Sequence, residues 1–494
     1  MTNEKRATLP KAPTTRLSGE DLSFWWLDSP MQPTTMAMLM VLDRAPDERR
    51  LRHALERAVF AVPRLAQRVV DAPLDLTLPH WEIDPTFDLD YHVRRHALPG
   101  GADLGELFRE IAPAYETPFD RSRPLWEVRI YERLAPDGRA ALFFKLHHAV
   151  ADGVGGNAIF AAMTDAERDP GDDGCRHTAL AQKGIWAPPA SLPARLLDAL
   201  RDRLALDFQR AGALADAVVH GVRHQEEIRH AMQAVRSIVE TLRFDSHSPL
   251  KQKAGRSRRL SGLDLPFEDM RALKRALGGA MIDVILTIMA RAIGRWHADH
   301  HLGSVRELMT LVPVNLRKPE EWTEKADVGN VATGILVPLP IRMRDPLATY
   351  REVHRRMEAK KADPSSAAFT TVAKVLSALP RPLVTWMAEA SFGNIDYIVT
   401  NVPGILVPRY LAGAEIQAAY PFAPVAMRSP VSVALYGYRE RLFIGLDSDE
   451  ASMPDVEKFQ GMIRTSFDEL CRVTGVRRHR STPGRASRPR AAAR

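Results

Sequence analysis

The sequence predicts an α/β protein in which two regions of mixed strands and helices flank a longer helical segment. Short runs of alternating apolar residues occur on both sides of residues 169–254, and that central segment has apolar residues at helical spacing. With 494 residues, the chain is also long enough to bury more than one core. We therefore expect an N-terminal domain at residues 14–168 and a C-terminal domain at residues 255–472.

The N-terminal domain contains the most informative stretch of the chain. Residues 141–147 alternate and are rich in apolar side chains, which predicts a half-buried strand that runs up to a pair of histidines. Gly153, Gly155 and Gly156 then interrupt the strand, and residues 157–166 are predicted to form a helix. The histidine pair therefore lies where a strand gives way to a turn.

The central segment begins with a polar loop at residues 169–191 and continues as a predicted helix over residues 192–244. Leucines recur along one face of that helix, which fits either a linker helix packed on the protein or a helix at a membrane interface. In the C-terminal domain, a helix is predicted to begin near Asp283. The predicted strands of this domain are residues 307–314, 333–339, 396–400, 432–436 and 441–446.

The composition, with 45% hydrophobic and 26% charged residues, is ordinary for a globular protein. No apolar run reaches the roughly 18 residues of a membrane-spanning helix. The first residues lack the apolar stretch of a signal peptide, so we expect a cytoplasmic protein. The two cysteines, Cys175 and Cys471, argue against a disulfide framework, and neither has the sequence neighbours of a catalytic thiol.

The net charge of +7 is concentrated at the C-terminus. Residues 477–494 contain seven arginines and no acidic residue, so residues 473–494 are predicted to form a disordered basic tail. Each arginine near anionic lipid contributes about 1 kcal/mol, which favours peripheral association with the inner face of the cell membrane or a lipid droplet. A solvated tail without a partner is an equal alternative. The rest of the chain lacks interleaved basic and aromatic residues, so no nucleic acid partner is expected.

His147, His148, Asp152 and Gly153 form the motif His-His-x-x-x-Asp-Gly at the end of the predicted strand. Because side chains alternate along a strand, the two histidines point to opposite faces, and only one can face a given cleft. An imidazole at a strand end, beside a glycine turn, is well placed to act as a general base near neutral pH. The other histidine is then expected to be structural.

Three other interpretations of this stretch remain open on the residues alone. Paired histidines can be core residues, or metal ligands, although no second ligand cluster completes a zinc site. Residues 153–158 also match the GxGxxA pattern of a dinucleotide-binding turn, but no second buried strand follows them. Residues 297–301, His-Ala-Asp-His-His, are rich in metal-ligating types, yet a polar helix end explains them equally well. No metal is expected.

The motif resembles the HHxxxDG signature of CoA-dependent acyltransferases that share the chloramphenicol acetyltransferase fold. Blocks from about Leu17 to Asp455 follow the order that is typical of the bacterial wax ester synthase/diacylglycerol acyltransferase family. The blocks are Leu17-Ser18-Gly19-Glu20-Asp21 with Phe24, Pro63-Arg64-Leu65, Pro79-His80-Trp81, residues 87–93, residues 118–127, residues 312–317, Gly329-Asn330 and Asn401-Val402-Pro403-Gly404.

The resemblance implies two chloramphenicol-acetyltransferase-like domains, each a mixed sheet with helices, and an active-site tunnel between them. It implies that His148 is the general base and that a long-chain acyl group passes directly from acyl-CoA to the acceptor hydroxyl. Neither an acyl-enzyme nor a further cofactor is then needed, since acyl-CoA is a substrate. Asp152 would be structural through an ion pair with Arg317, and Gly153 would let the chain turn sharply.

The resemblance also implies supporting and substrate-binding residues. The supporting positions are Arg317, Asp283, Asn315 and Asn401, and the substrate-binding positions are Pro124, Leu125 and Trp126. One position departs from the family pattern, because Ile282 stands where the family typically has asparagine before Asp283. If that amide holds the thioester oxyanion, its loss lowers activity or changes the substrate. Alternatively, Asp283 caps the following helix and Ile282 merely packs.

The expected reaction is the formation of triacylglycerol from diacylglycerol and a long-chain acyl-CoA. A long-chain fatty alcohol is the second acceptor to consider, since both acceptors need apolar walls. A non-catalytic lipid- or acyl-carrier-binding protein with a degenerate site is the third possibility, and Ile282 is the residue that motivates it.

Overall fold

The computed structural model describes residues 15–73, 76–135, 137–171, 248–253, 255–303, 305–315, 332–362, 393–425 and 428–478, with isolated positions between 193 and 204 and between 385 and 389. Arg317, Gly329 and Asn330, most of the predicted central segment, and residues 479–494 of the predicted tail lie outside the described residues. The isolated positions between 193 and 204 are helical, and Leu197, Leu200 and Leu204 are exposed there.

Strands and short helices alternate through both halves of the described chain. The strands are β1 (Thr15–Arg16), β2 (Thr35–Leu42), β3 (Gln67–Val70), β4 (His80–Ile83), β5 (Val93–Ala97), β6 (Trp126–Leu134), β7 (Arg139–His147), β8 (Arg258–Pro266), β9 (Glu307–Asn315), β10 (Ala332–Pro340), β11 (Tyr397–Ile405), β12 (Tyr410–Leu411), β13 (Ala414–Phe422), β14 (Val431–Tyr438) and β15 (Arg441–Asp449). The helices are α1 (Gly19–Leu27), α2 (Glu48–Ala61), α3 (Leu89–His92), α4 (Leu104–Glu116), α5 (Gly153–Met163), α6 (Phe267–Leu277), α7 (Met281–Asp299), α8 (Pro346–Ala362) and α9 (Val456–Thr474).

Two six-stranded mixed sheets organise the fold. The first sheet has the order β12-β13-β2-β7-β6-β5, and its neighbours are antiparallel except for the parallel pair β5–β6. The second has the order β10-β9-β11-β14-β15-β8, in which β11 lies parallel to both of its neighbours. A small sheet of β1, β4 and β3 accompanies the first. Mixed sheets with helices are what the family resemblance implies.

Two strands of the C-terminal half, β12 and β13, belong to the first sheet. β13 pairs with β2, so the sheets do not separate at the expected domain boundary of residue 255. The edge of β2 would otherwise be unpaired, and an unpaired edge is unfavourable. The crossing brings the two sheets into close contact, since a Cβ on Gly445 would lie 1.6 Å from the backbone oxygen of Pro421. Pairing between residues almost 400 positions apart leaves no local signal in the sequence.

Apolar side chains form one core around each sheet. In the first, α2 packs on α5, which in turn contacts β11 of the second sheet. In the second, α7 packs between α8 and α9, with Trp296 and Phe459 fully buried. α4 crosses from the first half to pack on β8. Helices of the N-terminal half therefore pack directly on strands of the second sheet at two places, α5 on β11 and α4 on β8.

The predicted elements are confirmed with small changes in length. The strands predicted at 141–147, 307–314, 333–339, 432–436 and 441–446 are β7, β9, β10, β14 and β15, whereas β11 extends five residues beyond the predicted strand at 396–400. The helix predicted at 157–166 begins earlier, at Gly153, because Asp152 caps it there. In the described part of the chain, no single helix is long and apolar enough to cross a membrane. α6 and α7 together pass that test of length and composition, but they are bent by 100°.

Candidate active site

The two motif histidines point to opposite faces of the first sheet at the end of β7. The side chain of His147 is buried, with its Nε2 3.0 Å from the hydroxyl of Thr34. Its Nδ1 accepts the backbone N–H of Ala149 at 3.0 Å, so the proton of the neutral ring lies on Nε2 and is donated to Thr34. His148 is partly exposed and lines a cavity. The geometry makes His148 the ring that can meet a substrate.

His148 is held by contacts on two sides. Its backbone N–H donates to the carbonyl of Thr34 at 2.8 Å, which continues the pairing of β7 with β2. The ring of Phe24 from α1 stacks on the imidazole, with centroids 3.9 Å apart and planes 15° apart. A stacked ring fixes the plane of the imidazole, and the ring nitrogens lie at the edge of that plane. The sequence placed Phe24 in a matching block without indicating this contact.

A partly buried polar network supports the loop that carries Thr34. The backbone N–H of Thr34 donates to Asp28 at 3.0 Å, and Arg121 forms an ion pair with the same carboxylate at 3.0 Å. Burial by itself raises the pKa of Asp28. The nearby His147 ring and the donors from Thr34 and Arg121 outweigh burial, so the pKa of this carboxyl lies well below its usual range. Asp28 is therefore ionised, and Thr34 links it to both histidines.

Asp152 and Gly153 position the helix that follows the motif. The Asp152 carboxylate accepts the backbone N–H groups of Val154 at 3.0 Å and Gly155 at 2.8 Å, so it caps the N-terminus of α5. Arg317, its expected partner, lies outside the described residues. Gly153 starts the helix and does not adopt a left-handed conformation. It is required for space, since a Cβ there would lie 2.7 Å from a methyl group of Val402.

The His148 cavity lies between α5, the first sheet and two strands of the second. Its empty volume is about 810 Å³, including the opening to solvent. The walls come from β2, β7, α5, β11, β13 and β14, and they include Met36, Met38, Met40, Phe144, Phe160 and Met163. Among the described lining residues, the polar side chains are those of His148, Asn157 and Thr400. A mostly apolar cavity with a few polar groups is typical of a small-molecule binding site.

The motif and the block at 401–404 meet at this cavity. Val402 lines it beside Gly153, and the side-chain amide of Asn157 in α5 donates to the carbonyl of Pro403 at 2.5 Å. Asn401 itself is exposed and is not among the lining residues. Asn315 ends β9, and its side chain lies outside the described part of the structure. The structure thus brings together the motif and the neighbours of Asn401.

The three residues expected to bind substrate are instead part of the core. Pro124, Leu125 and Trp126 are buried, and none of them lines the cavity. The carbonyl of Leu125 accepts the backbone N–H of His147 at 3.0 Å, and the indole of Trp126 donates to the carbonyl of Leu65 at 2.7 Å. These apolar residues hold the end of β7 in place, which corrects their expected role.

Asp283 also lies away from the cavity. It is fully buried near the start of α7, where its carboxylate accepts the backbone N–H of Ala280 at 3.0 Å and the Nδ1–H of His354 at 2.8 Å. Ile282 packs against the second core. Local capping and packing therefore account for both residues, and the argument for a degenerate site based on Ile282 loses its support.

Two other groups of ligand-type side chains have structural contacts. Asp283, His354 and Glu358 bring ligand atoms within 4.8 Å of one another, but one Asp283 oxygen already accepts the backbone N–H of Ala280 and the Nδ1–H of His354. In the 297–301 stretch, α7 ends at Asp299, and His297 lies 2.8 Å from the hydroxyl of Ser248. A helix end explains this second group, as the sequence allowed.

Comparison with known proteins identifies the family. Models of the wax ester synthase/diacylglycerol acyltransferase family match the chain, the catalytic domain over residues 17–285 and the C-terminal domain over residues 328–471. The chain belongs to this family. It is thereby an acyltransferase of the diacylglycerol and wax ester class. A putative diacylglycerol O-acyltransferase of Mycobacterium tuberculosis is 31% identical over 460 residues, which cover 90% of this chain and 89% of the relative. A probable diacylglycerol O-acyltransferase of the same species, tgs1, is 27% identical, covering 91% and 93%.

Solved structures confirm the fold. The wax ester synthase/diacylglycerol acyltransferase of Marinobacter aquaeolei VT8 matches with a TM-score of 0.64 at 22% identity and covers 93% of this chain and 100% of that chain. The first condensation domain of the calcium-dependent antibiotic synthetase matches with a TM-score of 0.60 at 16% identity, covering 93% and 97%. This family member thus has the two-domain, chloramphenicol-acetyltransferase-like architecture that its motif predicted.

Proposed function

We propose that this acyltransferase moves a long-chain acyl group from acyl-CoA to the hydroxyl of diacylglycerol, with His148 as the general base. The observation that carries the proposal is the position of His148, a partly exposed imidazole in the wall of a mostly apolar cavity. A cavity of this kind holds an alkyl chain, and the imidazole supplies the proton acceptor that an alcohol nucleophile needs.

In the proposed reaction, His148 takes the proton of the acceptor hydroxyl as its oxygen attacks the thioester carbonyl carbon. The carbon–sulfur bond then breaks, and the imidazolium returns the proton to the departing thiolate. Transfer is direct, so no acyl-enzyme forms. Cys471 is unsuited to carry an acyl group in this reaction, because it lies in the second core, away from the cavity, where burial raises the pKa of its thiol to about 12.

Phe24 and Thr34 would act as positioning residues for this base. The stack on Phe24 sets the ring plane, and the carbonyl of Thr34 fixes the backbone from which the ring projects. Replacing Phe24 with leucine keeps an apolar side chain but removes the flat face. We expect turnover to fall while the KM values change little, because the ring misaligns without loss of the cavity.

A long-chain fatty alcohol is the second candidate acceptor, since the Marinobacter neighbour is named for both activities and a mostly apolar cavity suits the alkyl chain of either acceptor. Incubating the pure protein with labelled palmitoyl-CoA and equal concentrations of diacylglycerol, hexadecanol and monoacylglycerol separates the candidates. Predominant triacylglycerol supports the proposal, and predominant wax ester supports the second candidate. Binding of palmitoyl-CoA without any neutral-lipid product would refute both, with His148→Ala as the background control.

We also propose that the chain acts at the surface of a membrane or lipid droplet, on the cytoplasmic side. The arginines of residues 477–494 and the exposed leucines between 197 and 204 support this proposal. Removing residues 479–494 should weaken binding to anionic vesicles, most strongly at low salt, because the attraction is screened. Activity on detergent-dispersed substrate should stay the same. Equal vesicle binding by both forms across a salt series would remove the tail from this account.

A further inference from the structure

The His148 cavity becomes more enclosed with distance from the histidine along β2. Met36, Met38 and Met40 lie on one face of this strand, because alternate side chains share a face. Met36 and Met38 are partly exposed, whereas Met40 is only 1% exposed. His148 lies beside Thr34, just before the start of β2, because its backbone N–H donates to the Thr34 carbonyl. The cavity therefore opens near His148 and closes toward Met40.

Helix α5 shows the same gradient on the opposite wall. Gly156 and Asn157, in its first turns, are partly exposed, whereas Ile159 and Met163 are each 1% exposed. The helix starts beside Val402, next to the motif, and Met163 is its last residue. Both walls thus end in a buried methionine that lines the same cavity.

The length of these walls can be compared with that of an alkyl chain. Six residues separate the level of Thr34 from Met40, and at ~3.3 Å per strand residue they span about 20 Å. On α5, the ten residues from Gly153 to Met163 span about 15 Å at ~1.5 Å per residue. An extended chain with bonds of ~1.52 Å and angles of ~111° advances about 1.25 Å per carbon. The two walls therefore correspond to roughly 12–16 carbons.

We infer that Met40 and Met163 form the closed end of an alkyl pocket and set the chain length that the enzyme accepts. This inference rests on the proposed acyl transfer at His148 and adds the residues that determine its selectivity. A methionine side chain is flexible, so it yields gradually to a longer chain. The rate of acyl transfer should therefore decline gradually, over a few carbons of chain length beyond the optimum, rather than stop at one length.

Shortening either methionine should lengthen the preferred chain. Replacement by alanine removes Cγ, Sδ and Cε, which leaves room for roughly two to three carbons. Each additional buried methylene contributes about fourfold in kcat/KM. We expect Met40→Ala and Met163→Ala each to raise the ratio of C18 to C14 transfer by roughly tenfold or more, and Met163→Trp to favour chains shorter than the wild-type optimum.

The test is a competition among saturated acyl-CoAs of 10 to 20 carbons with one acceptor, with the product ratios read by mass spectrometry. Product ratios do not depend on the folded fraction, so a loss of stability in a variant does not obscure the result. The matched control is Met289→Ala, since Met289 is also 1% exposed but lies in the second core, away from the cavity. A second series, with fatty alcohols of 10 to 20 carbons and palmitoyl-CoA, tells whether the pocket holds the acyl or the acceptor chain.

A shift in either series for the Met40 and Met163 variants, with none for the control, is the expected result. Unchanged ratios in both series, in variants that remain active, would overturn the inference and leave the proposed function intact. If the wild type transfers no acyl group, the proposed function fails instead. Calorimetric binding of free fatty acids of 10 to 20 carbons then tests the pocket without turnover, and identical length profiles in wild type and variants would refute it.

Discussion

Gly153→Ala tests how closely α5 must approach β11 for the motif to work. The new Cβ would lie 2.7 and 3.2 Å from the two methyl carbons of Val402, against ordinary carbon separations of about 3.5–4.0 Å. Relief needs a displacement of almost 1 Å, and overpacking of this kind costs about 1–3 kcal/mol. The better helix propensity of alanine offsets up to ~1 kcal/mol of that, so we expect a net loss of about 1–2 kcal/mol.

The same displacement should reduce turnover more than it reduces stability. A misplacement of about 1 Å at a reacting centre can lower the rate roughly 100-fold, and α5 begins five residues after His148. Urea unfolding and single-turnover acyl transfer measure the two effects. The double variant with Val402→Ala should show a favourable coupling of about 1–2 kcal/mol, since the clashing methyl groups are gone.

A matched glycine provides the control for this prediction. Gly461 lies inside α9, and a Cβ added to it would meet nothing within 4 Å, so Gly461→Ala should stabilise the protein by up to ~1 kcal/mol and leave activity unchanged. Strictly additive losses for the Gly153 and Val402 variants, or a Gly153→Ala protein with full turnover, would refute the close-packing account.

Three further experiments test the roles of charged side chains. The pKa of Asp28 is lowered on folding, so the ionised carboxylate stabilises the native protein above about pH 4, and this stabilisation is lost as the pH falls through the folded pKa. In Asp28→Asn, the urea unfolding midpoint should therefore fall less steeply with decreasing pH than in the wild type. Burial raises the pKa of Asp447 to about 7, so the free energy of unfolding falls as pH rises from about 4 to 7. Between pH 5 and pH 8, the free energy of unfolding of Asp447→Asn should rise by on the order of 2 kcal/mol relative to that of the wild type. Parallel plots of this free energy against pH for the two proteins would exclude the effect. Asp152→Asn keeps a helix-capping side chain but removes its charge, so a double-mutant cycle with Arg317→Met isolates the proposed ion pair. The free energies of unfolding should show a coupling of about 1–3 kcal/mol, and additive losses would mean that the two residues do not pair.

Local patterns in the sequence were sufficient for the motif and its strand. Alternation along β7 predicted that the two histidines face opposite ways, and the structure has His147 buried and His148 in the cavity wall. The predicted limits of β9, β10, β14 and β15 were also close, because each has its own apolar run between turn residues, whereas β11 runs five residues further than predicted and β8 was not predicted.

Long-range packing could not be predicted in the same way. The pairing of β13 with β2 and the approach of Val402 to Gly153 join residues that are hundreds of positions apart, and no local period reports them. The stack of Phe24 on His148 is a contact of the same kind. Apolar residues such as Trp126 are ambiguous for a related reason, since lining a cavity and filling a core require the same side chains.

The central claim is that His148 is the base that activates the acceptor hydroxyl. The most direct test compares the turnover of His148→Ala and His147→Ala at equal folded concentration, with labelled palmitoyl-CoA and diacylglycerol. We predict that His148→Ala loses more than ~100-fold in kcat with its melting temperature preserved. His147→Ala should lose mainly stability, because it leaves Thr34 and Ala149 without their buried partner. Turnover of His148→Ala within tenfold of the wild type, or a larger loss in folded His147→Ala, would contradict the account.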